Sequence, residues 1–226
     1  VAADPTDLPE IKGRGTLRIL VVDGSPNFFS LKPDGAPGFD REILEGFARL
    51  HRVKLQPVPV SSWNDLMQAL LEKNGDIVAG DVTATEGRRK LADFTAEVFP
   101  TRLVVMTRKP RPPVKSLEQL RGEKVGTVKG TSMLEALVAA KVPASNLDDS
   151  FAAGSLPAAL RTGKITACVI GVEDAILEYK SDPAIDLGLF LGPRQSLAFA
   201  VRKGEPDLLT ALNDYLDGFR KTGAWS

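Results

Sequence analysis

The chain has 226 residues, 43% hydrophobic and 26% charged, the proportions of an ordinary globular protein rather than a disordered, fibrous or membrane one. Lys plus Arg and Asp plus Glu both number 29, so no net positive field exists to hold a nucleic acid or an acidic membrane surface. No apolar run approaches the roughly 18 to 20 residues of a membrane helix, so no direct membrane insertion of this segment is expected, and no charged-then-apolar signal sequence opens the chain.

In chain order, Thr16-Leu-Arg-Ile-Leu-Val-Val22 is short and rich in β-branched residues and reads as a buried strand, followed by the turn-prone Asp23-Gly-Ser-Pro-Asn27. After Gly38-Phe-Asp40, the residues Ile43, Leu44, Phe47 and Leu50 recur at helical spacing. Lys54-Leu-Gln-Pro-Val-Pro-Val60 alternates, a helix carries Leu66, Met67, Leu70 and Leu71, and Asp76-Ile-Val-Ala79 reads as a strand. This is the order of a parallel sheet covered by helices. The proline-rich Lys109-Pro-Arg-Pro-Pro113 breaks the pattern, and a second α/β unit begins with a capped helix start at Ser116-Leu-Glu-Gln119 and the strand Lys124-Val-Gly-Thr-Val128. It continues with a helix after Gly130-Thr-Ser132, another near residues 156–160, and a strand over 165–170. Ser196-Leu-Ala-Phe-Ala-Val201 alternates like a half-buried strand, and a last helix carries Leu208, Leu209, Leu212, Leu216 and Phe219. No short repeat or low-complexity tract is present, which argues against a solenoid.

In open parallel sheets ligands bind beyond the carboxyl ends of strands, where loops and helix N-termini present free N–H groups. Three loops qualify: 23–29, 80–88 and 129–132. In Asp81-Val-Thr-Ala-Thr-Glu-Gly-Arg88, Thr83 and Arg88 can converge on one spot, and the planar arginine fork suits a carboxylate. The alternative is a solvated or capping arginine, since Arg89 and Lys90 adjoin it. Lys129-Gly-Thr-Ser132 makes an anion nest, or a helix cap by Thr131 or Ser132, but lacks the full phosphate-loop pattern. Phe28 and Trp63 are candidate stacking walls or core, and Phe29 reads as core. Asp23 can meet an ammonium group or make a turn. His51 reads as a surface residue. Cys168 is the only cysteine, so an internal disulfide and a cysteine metal cluster are excluded, and its apolar run Ala167-Cys168-Val169-Ile170 suits a buried inert thiol. Glu173 and Asp174 are the one adjacent carboxylate pair near a strand end, with no partner base at a telling spacing, so no catalytic residue, metal or cofactor is assigned.

Taken together, Gly15-Thr-Leu-Arg-Ile-Leu, Gly38-Phe-Asp40, Trp63-Asn-Asp-Leu-Met67, Gly75-Asp-Ile-Val-Ala-Gly80, Thr85-Glu-Gly-Arg88 with Asp93-Phe-Thr95, Val125-Gly-Thr-Val-Lys-Gly-Thr131, Gly163-Lys-Ile-Thr-Ala167 and Ala200-Val-Arg-Lys-Gly204 resemble the family 3 periplasmic solute-binding proteins of amino-acid ABC transporters. The resemblance covers nearly the whole chain. It implies a two-lobed α/β fold of the type II periplasmic-binding-protein kind, with two mainly parallel sheets flanked by helices. Lobe 1 would be residues 1–103 plus 195–226 and lobe 2 residues 104–194, joined by a two-strand hinge near 101–105 and 188–194. In the family the arginine at the place of Arg88 grips the ligand α-carboxylate, helped by Thr83, Thr131 and Ser132. Trp63 and Phe28 fall where ligand-wall residues lie, and Asp23 where an acidic residue meets the ligand's far end.

One departure stands out: the aspartate that usually holds the ligand ammonium is replaced by Gly171 in Val169-Ile-Gly-Val-Glu173. Either Glu173, Asp174, Asp81 or Asp23 supplies that charge, or the ligand lacks an ordinary α-amino group. The resemblance implies an extracytoplasmic monomer, its signal peptide removed, that closes on a small carboxylate ligand, amino-acid-like, and is read by an ABC permease. The chain also resembles the N-terminal module of membrane-bound lytic transglycosylase F and the sensor modules of some histidine kinases. Ending at Gly223-Ala-Trp-Ser226, it is a little short for the family, as a trimmed chain would be. Cyclohexadienyl dehydratases look similar too, which keeps an enzymatic alternative open through Glu173 or Asp174.

Overall fold

The computed structural model describes residues 7–222, so the segment Gly223-Ala-Trp-Ser226 and the outer ends of the expected first lobe lie outside the described residues. Asp7 caps α1 (Leu8–Arg14) through its Oδ1, which accepts from Leu8 N at 2.8 Å, and Gly15, in the left-handed region, ends the helix and turns the chain into β1 (Thr16–Val22). The next elements are α2 (Phe39–Leu50), β2 (Lys54–Val60), α3 (Trp63–Leu71), β3 (Ile77–Val78), α4 (Glu86–Leu91), β4 (Ala92–Phe94) and β5 (Phe99–Arg108). There follow α5 (Leu117–Arg121), β6 (Val125–Gly126), α6 (Ser132–Ala139), β7 (Leu147–Asp148), α7 (Leu156–Arg161), β8 (Ala167–Gly171), α8 (Val172–Ser181), β9 (Ile185–Leu197), β10 (Ala200–Arg202) and α9 (Pro206–Lys221).

The chain forms two compact units. Of the described residues, the first takes in those up to Ser61, Asp65–Phe99 and those from Ser196 to Thr222; the second is Ser62–Asn64 with Pro100–Gln195. The first unit's sheet has the order β2-β1-β3-β10-β4, with β1 parallel to β2 and β3, and β10 antiparallel to β3 and β4. The second unit's sheet has the order β7-β6-β8-β5-β9, with β6 parallel to β7 and β8, and β5 antiparallel to β8. Both sheets are therefore mixed, where the family resemblance implies mainly parallel ones.

Side-chain period explains where the strands sit. Pro57 and Pro59 lack the N–H that a strand between two neighbours needs, and β2 accordingly lies at an edge. In the second unit, Leu103 and Val105 of β5 join Ala167 and Val169 of β8 in one core cluster, while Val104 and Met106 join Cys168 and Ile170 in another. Alternate residues thus feed the two faces of a sheet covered on both sides. The first unit's core gathers Ile19 and Val21 of β1, Ile43, Leu44 and Phe47 of α2, and Leu208, Leu212 and Leu216 of α9, with Phe29 as expected.

Two expectations change. Residues 196–201 are not one alternating strand: β9 ends at Leu197, β10 begins at Ala200, and 197–202 are all buried, because β10 lies between two other strands inside the sheet. His51 is not a free surface residue: it ends α2 with its ring 4.4 Å from that of Phe47, and burial, aided by the Lys12 charge, lowers its pKa.

At the amino end of β3, Asp76 is fully buried and neutralised by arginines. Its Oδ2 accepts from Arg18 N at 2.8 Å and pairs with Arg14 Nη2 at 2.5 Å, its Oδ1 accepts from Arg18 Nη2 at 3.0 Å, and Arg202 Nη2 stands 3.9 Å away. Arg202 in turn bonds Glu205 and the carbonyls of Leu70 and Gly75. This network locks the end of the sheet opposite to the loops that carry the candidate ligand groups.

Candidate functional site

The candidate residues lie just beyond the carboxyl ends of parallel strands. In the first unit β1 delivers Asp23 and Phe28, and β3 delivers Asp81, Thr83 and Arg88; in the second, β6 delivers Lys129, Thr131 and Ser132, and β8 delivers Gly171 and Glu173. That is the end at which open α/β sheets bind ligands.

In the first unit, Thr85 caps α4 by accepting from Arg88 N at 3.3 Å, which starts the helix one turn before Arg88. Arg88 is 7% exposed, far from the solvated arginine its charge-rich neighbours suggest, and its Nη1 donates to Thr83 O at 2.9 Å. Thr83 is itself buried and bridges Leu197. A guanidinium held by its own loop keeps its fork oriented, and that orientation is what bidentate carboxylate binding requires. Asp81 has a left-handed backbone (φ 66°), and its Oδ2 accepts from Ser25 Oγ at 3.1 Å, so the loops after β1 and β3 are tied together. Asp23 is exposed.

Phe28 is 5% exposed and packs edge-on against Phe99 at 6.0 Å and Phe39 at 6.5 Å, so its ring belongs to a buried aromatic trio. The chain passes so close at Gly38 (φ 90°) that any Cβ there would stand 2.6 Å from the Phe28 carbonyl. Only glycine allows that carbonyl to accept from Asp40 N and Arg41 N at the start of α2.

In the second unit, Thr131 caps α6: its Oγ1 accepts from Leu134 N at 3.3 Å and donates to Val128 O at 2.6 Å. Thr131 and Ser132 are buried, whereas Lys129 is exposed. Trp63, grouped with this unit, is half-buried against the cluster that contains Val128 and Ile170. Glu173, in the first turn of α8, folds back over Gly171. A Cβ on Gly171 would lie 2.8 Å from the Glu173 carboxyl carbon, closer than side chains come, so the acid at 173 fills the space in which a side chain at 171 would begin. Thr101 Oγ1, buried, reaches Glu173 Oε2 at 2.7 Å and Oε1 at 3.0 Å. Burial raises the Glu173 pKa, with the Asp174 charge adding to it, against the lowering effect of its own backbone N–H and of Thr101.

Three residues that hold candidate groups within their own units were not candidates from the sequence: Ser25 and Asp40 in the first unit and Thr101 in the second. Ser25 and Thr101 carry no local signal, because only the tertiary fold brings each to a carboxylate. Asp40 stands in a quoted motif, and a charged residue leading an amphipathic helix reads as a solvated first turn, yet it is 3% exposed. Cys168 is fully buried, which pushes its thiol up to about 12. Among the described residues no group of three or more His, Cys, Asp or Glu side chains is placed to hold a metal ion, and no helix is long and apolar enough to cross a membrane.

Comparison with known proteins agrees with this fold. The model of the bacterial extracellular solute-binding proteins, family 3, matches residues 17–226. The chain is 29% identical to the L-cystine-binding protein TcyJ of Escherichia coli strain K12, over 98% of its own length and 84% of that protein. It is also 29% identical to the membrane-bound lytic murein transglycosylase F of Stutzerimonas stutzeri, over 98% of its own length but 47% of that protein, so it spans about half of that relative. Among solved structures, a mutant of ArgBP from T. maritima superposes with a TM-score of 0.87 at 26% identity, covering 96% of this chain and 95% of that one. The ancestral amino acid-binding protein AncCDT-1, described as a precursor of cyclohexadienyl dehydratase, gives a TM-score of 0.84 at 27% identity, covering 96% and 94%. Two mixed α/β sheets with helices on their faces make this the type II periplasmic-binding-protein fold, and the chain belongs to the bacterial extracellular solute-binding proteins, family 3.

Proposed function

We propose that the chain is an extracytoplasmic solute-binding protein that captures a small carboxylate ligand, an amino acid or close analogue, by lobe closure for an ABC permease. The observation that carries the reading is Arg88: a buried guanidinium oriented by the backbone of its own loop, beyond the strand end where this fold binds ligands. Thr83 and Asp81 in the first unit, and Thr131, Ser132 and Lys129 in the second, are the further donors and charges of the two half-sites. The relatives named for binding cystine and the ArgBP structures support the amino-acid class.

Glu173 deepens the proposal. It is the acid that replaces the missing one at Gly171, because its carboxylate occupies the room a side chain there would need and is pinned by Thr101. A ligand ammonium arriving beside it regains the solvation its burial removed, a reason for preferring amino acids over their deaminated analogues. Calorimetric titration of L-amino acids and the matching deaminated acids tests this: Glu173→Gln is expected to abolish the preference while leaving the carboxylate's own contribution. An undiminished preference removes Glu173 from the site.

The raised Glu173 pKa also favours a second reading, in which that carboxyl donates a proton in a dehydration. Turnover of prephenate or arogenate would establish it; binding of a ligand without turnover supports the transport reading. A monomer located outside the cytoplasm completes the proposal.

A further inference from the structure

Asp40 is a buried carboxylate that belongs neither to the arginine network around Asp76 and Glu205 nor to the ligand reading. Its Oδ2 accepts from two consecutive amides, Gly80 N at 2.9 Å and Asp81 N at 3.2 Å. Both donors belong to residues in the left-handed region, φ 95° and 66°, and Asp81 reaches it without the freedom of a glycine. These two residues begin the loop that carries Thr83 and Arg88. The other oxygen, Oδ1, is buried with no hydrogen-bond partner.

We propose that Asp40 is a positioning residue for the ligand-binding loop: its negative charge, held at the start of α2, clamps the Gly80 and Asp81 amides and thereby sets the loop conformation in which Thr83 and Arg88 are presented. The charge matters because an N–H bond to a carboxylate is about twice as strong as one to a neutral oxygen. Protonation would place the hydrogen on the partnerless Oδ1 and leave Oδ2 as an ordinary carbonyl acceptor, so the clamp loosens without breaking.

The surroundings make the charge easy to lose. Burial raises the Asp40 pKa to about 6, with the two amides opposing the rise. Of the charged groups around it, Asp81 follows the clamped amide and holds Ser25, while Arg41, next on α2, is engaged by Glu45 and the Ser30 carbonyl. Acid therefore has two opposite effects: it relieves the burial of a charge, which favours the folded chain, and it slackens one loop. A residue that merely stabilises the fold would move both in the same direction.

The inference rests on the carboxylate-binding reading for its purpose, but its test reads the loop without any ligand, so the two can fail separately. The measurement is amide hydrogen exchange and backbone nuclear magnetic resonance of the unliganded chain between pH 5 and 7.5. The Gly80, Asp81, Thr83 and Arg88 amides are expected to titrate together with one midpoint near 6. Their protection should drop about tenfold below it, after correction for the intrinsic exchange rate, while global stability rises. In Asp40→Asn the shared midpoint should vanish, and in Asp81→Asn, which removes the neighbouring carboxyl, it should persist. If Asp40→Asn does not fold, the wild-type and Asp81→Asn titrations decide alone. Titration confined to Gly80 and Asp81, a midpoint lost in Asp81→Asn, or protection that rises with global stability would each overturn the proposal.

Discussion

The position of Glu173 over Gly171 can be tested by adding one methyl group. Gly171 has φ −60° and ψ 143°, a backbone any residue adopts, so Gly171→Ala imposes no strain of its own. Its Cβ would stand 2.8 Å from the Glu173 carboxyl carbon, and since that carboxylate ends a flexible side chain, it must swing away. The swing forfeits the Thr101 bond, about 1.5–3 kcal/mol for a hydrogen bond to a charged group. Against this, replacing glycine at a compatible position stabilises by about 0.4–1 kcal/mol through the unfolded chain, and release from burial recovers a little more. The net expectation is a loss of about 1 kcal/mol at pH 7, a melting shift of about 2–4 °C for a chain of this size. The sharper readout is Glu173 itself: carbon-13 titration of its carboxyl should show the pKa falling toward the ordinary glutamate range, because burial, the main cause of its elevation, is relieved. A Gly171→Ala protein in which Glu173 keeps its elevated pKa would refute the reasoning.

Asp76→Asn should cost about 3–5 kcal/mol in urea unfolding at pH 7, since it strands the cations of Arg14, Arg18 and Arg202 around a neutral group; a loss under about 1 kcal/mol would deny the network its role. Asp40 holds its proton up to about pH 6 when folded and to about 3.8 otherwise, so the folded chain binds the extra proton between those values. Its contribution is therefore lost as pH rises through that window, about 3 kcal/mol in all, and the difference between wild type and Asp40→Asn in stability against pH should show that slope. Cys168, buried with its thiol pushed up to about 12, should resist disulfide reagents in the native chain and react only as fast as the chain opens; rapid labelling at pH 8 would contradict its placement.

Much of the fold was legible because periodicity survives in the local sequence. The spacing of Ile43, Leu44 and Phe47 marks α2, and the β-branched run at 16–22 marks β1. Other elements were hidden for physical reasons. β9 runs through Gly188, Gly192 and Pro193, which read as turn signals, although Gly188 is there because a side chain would collide with the Val114 backbone. Leu50 completes the helical spacing but is 63% exposed, at the last turn of α2, where the apolar stripe has already left the core. The site divides in the same way. Arg88, Thr83 and Thr131 follow strand ends and precede helices, so their place could be read from the chain. The fold-back of Glu173 over Gly171, its pin at Thr101 and the clamp from Asp40 join residues 40 or more positions apart or turn a side chain back on its own helix, and no local pattern encodes them.

The most direct test of the account is a thermal-shift screen of the chain against amino acids and related carboxylates, with Arg88→Ala and Arg88→Lys beside the wild type. A ligand present at about 100 times its dissociation constant should stabilise the wild type by about 2.7 kcal/mol. The account predicts that one ligand class shifts the wild type, that Arg88→Ala, folded by circular dichroism, does not respond, and that Arg88→Lys responds weakly because a point charge replaces the fork. A screen in which nothing shifts the wild type, or in which Arg88→Ala shifts as far as the wild type, would contradict carboxylate capture at Arg88.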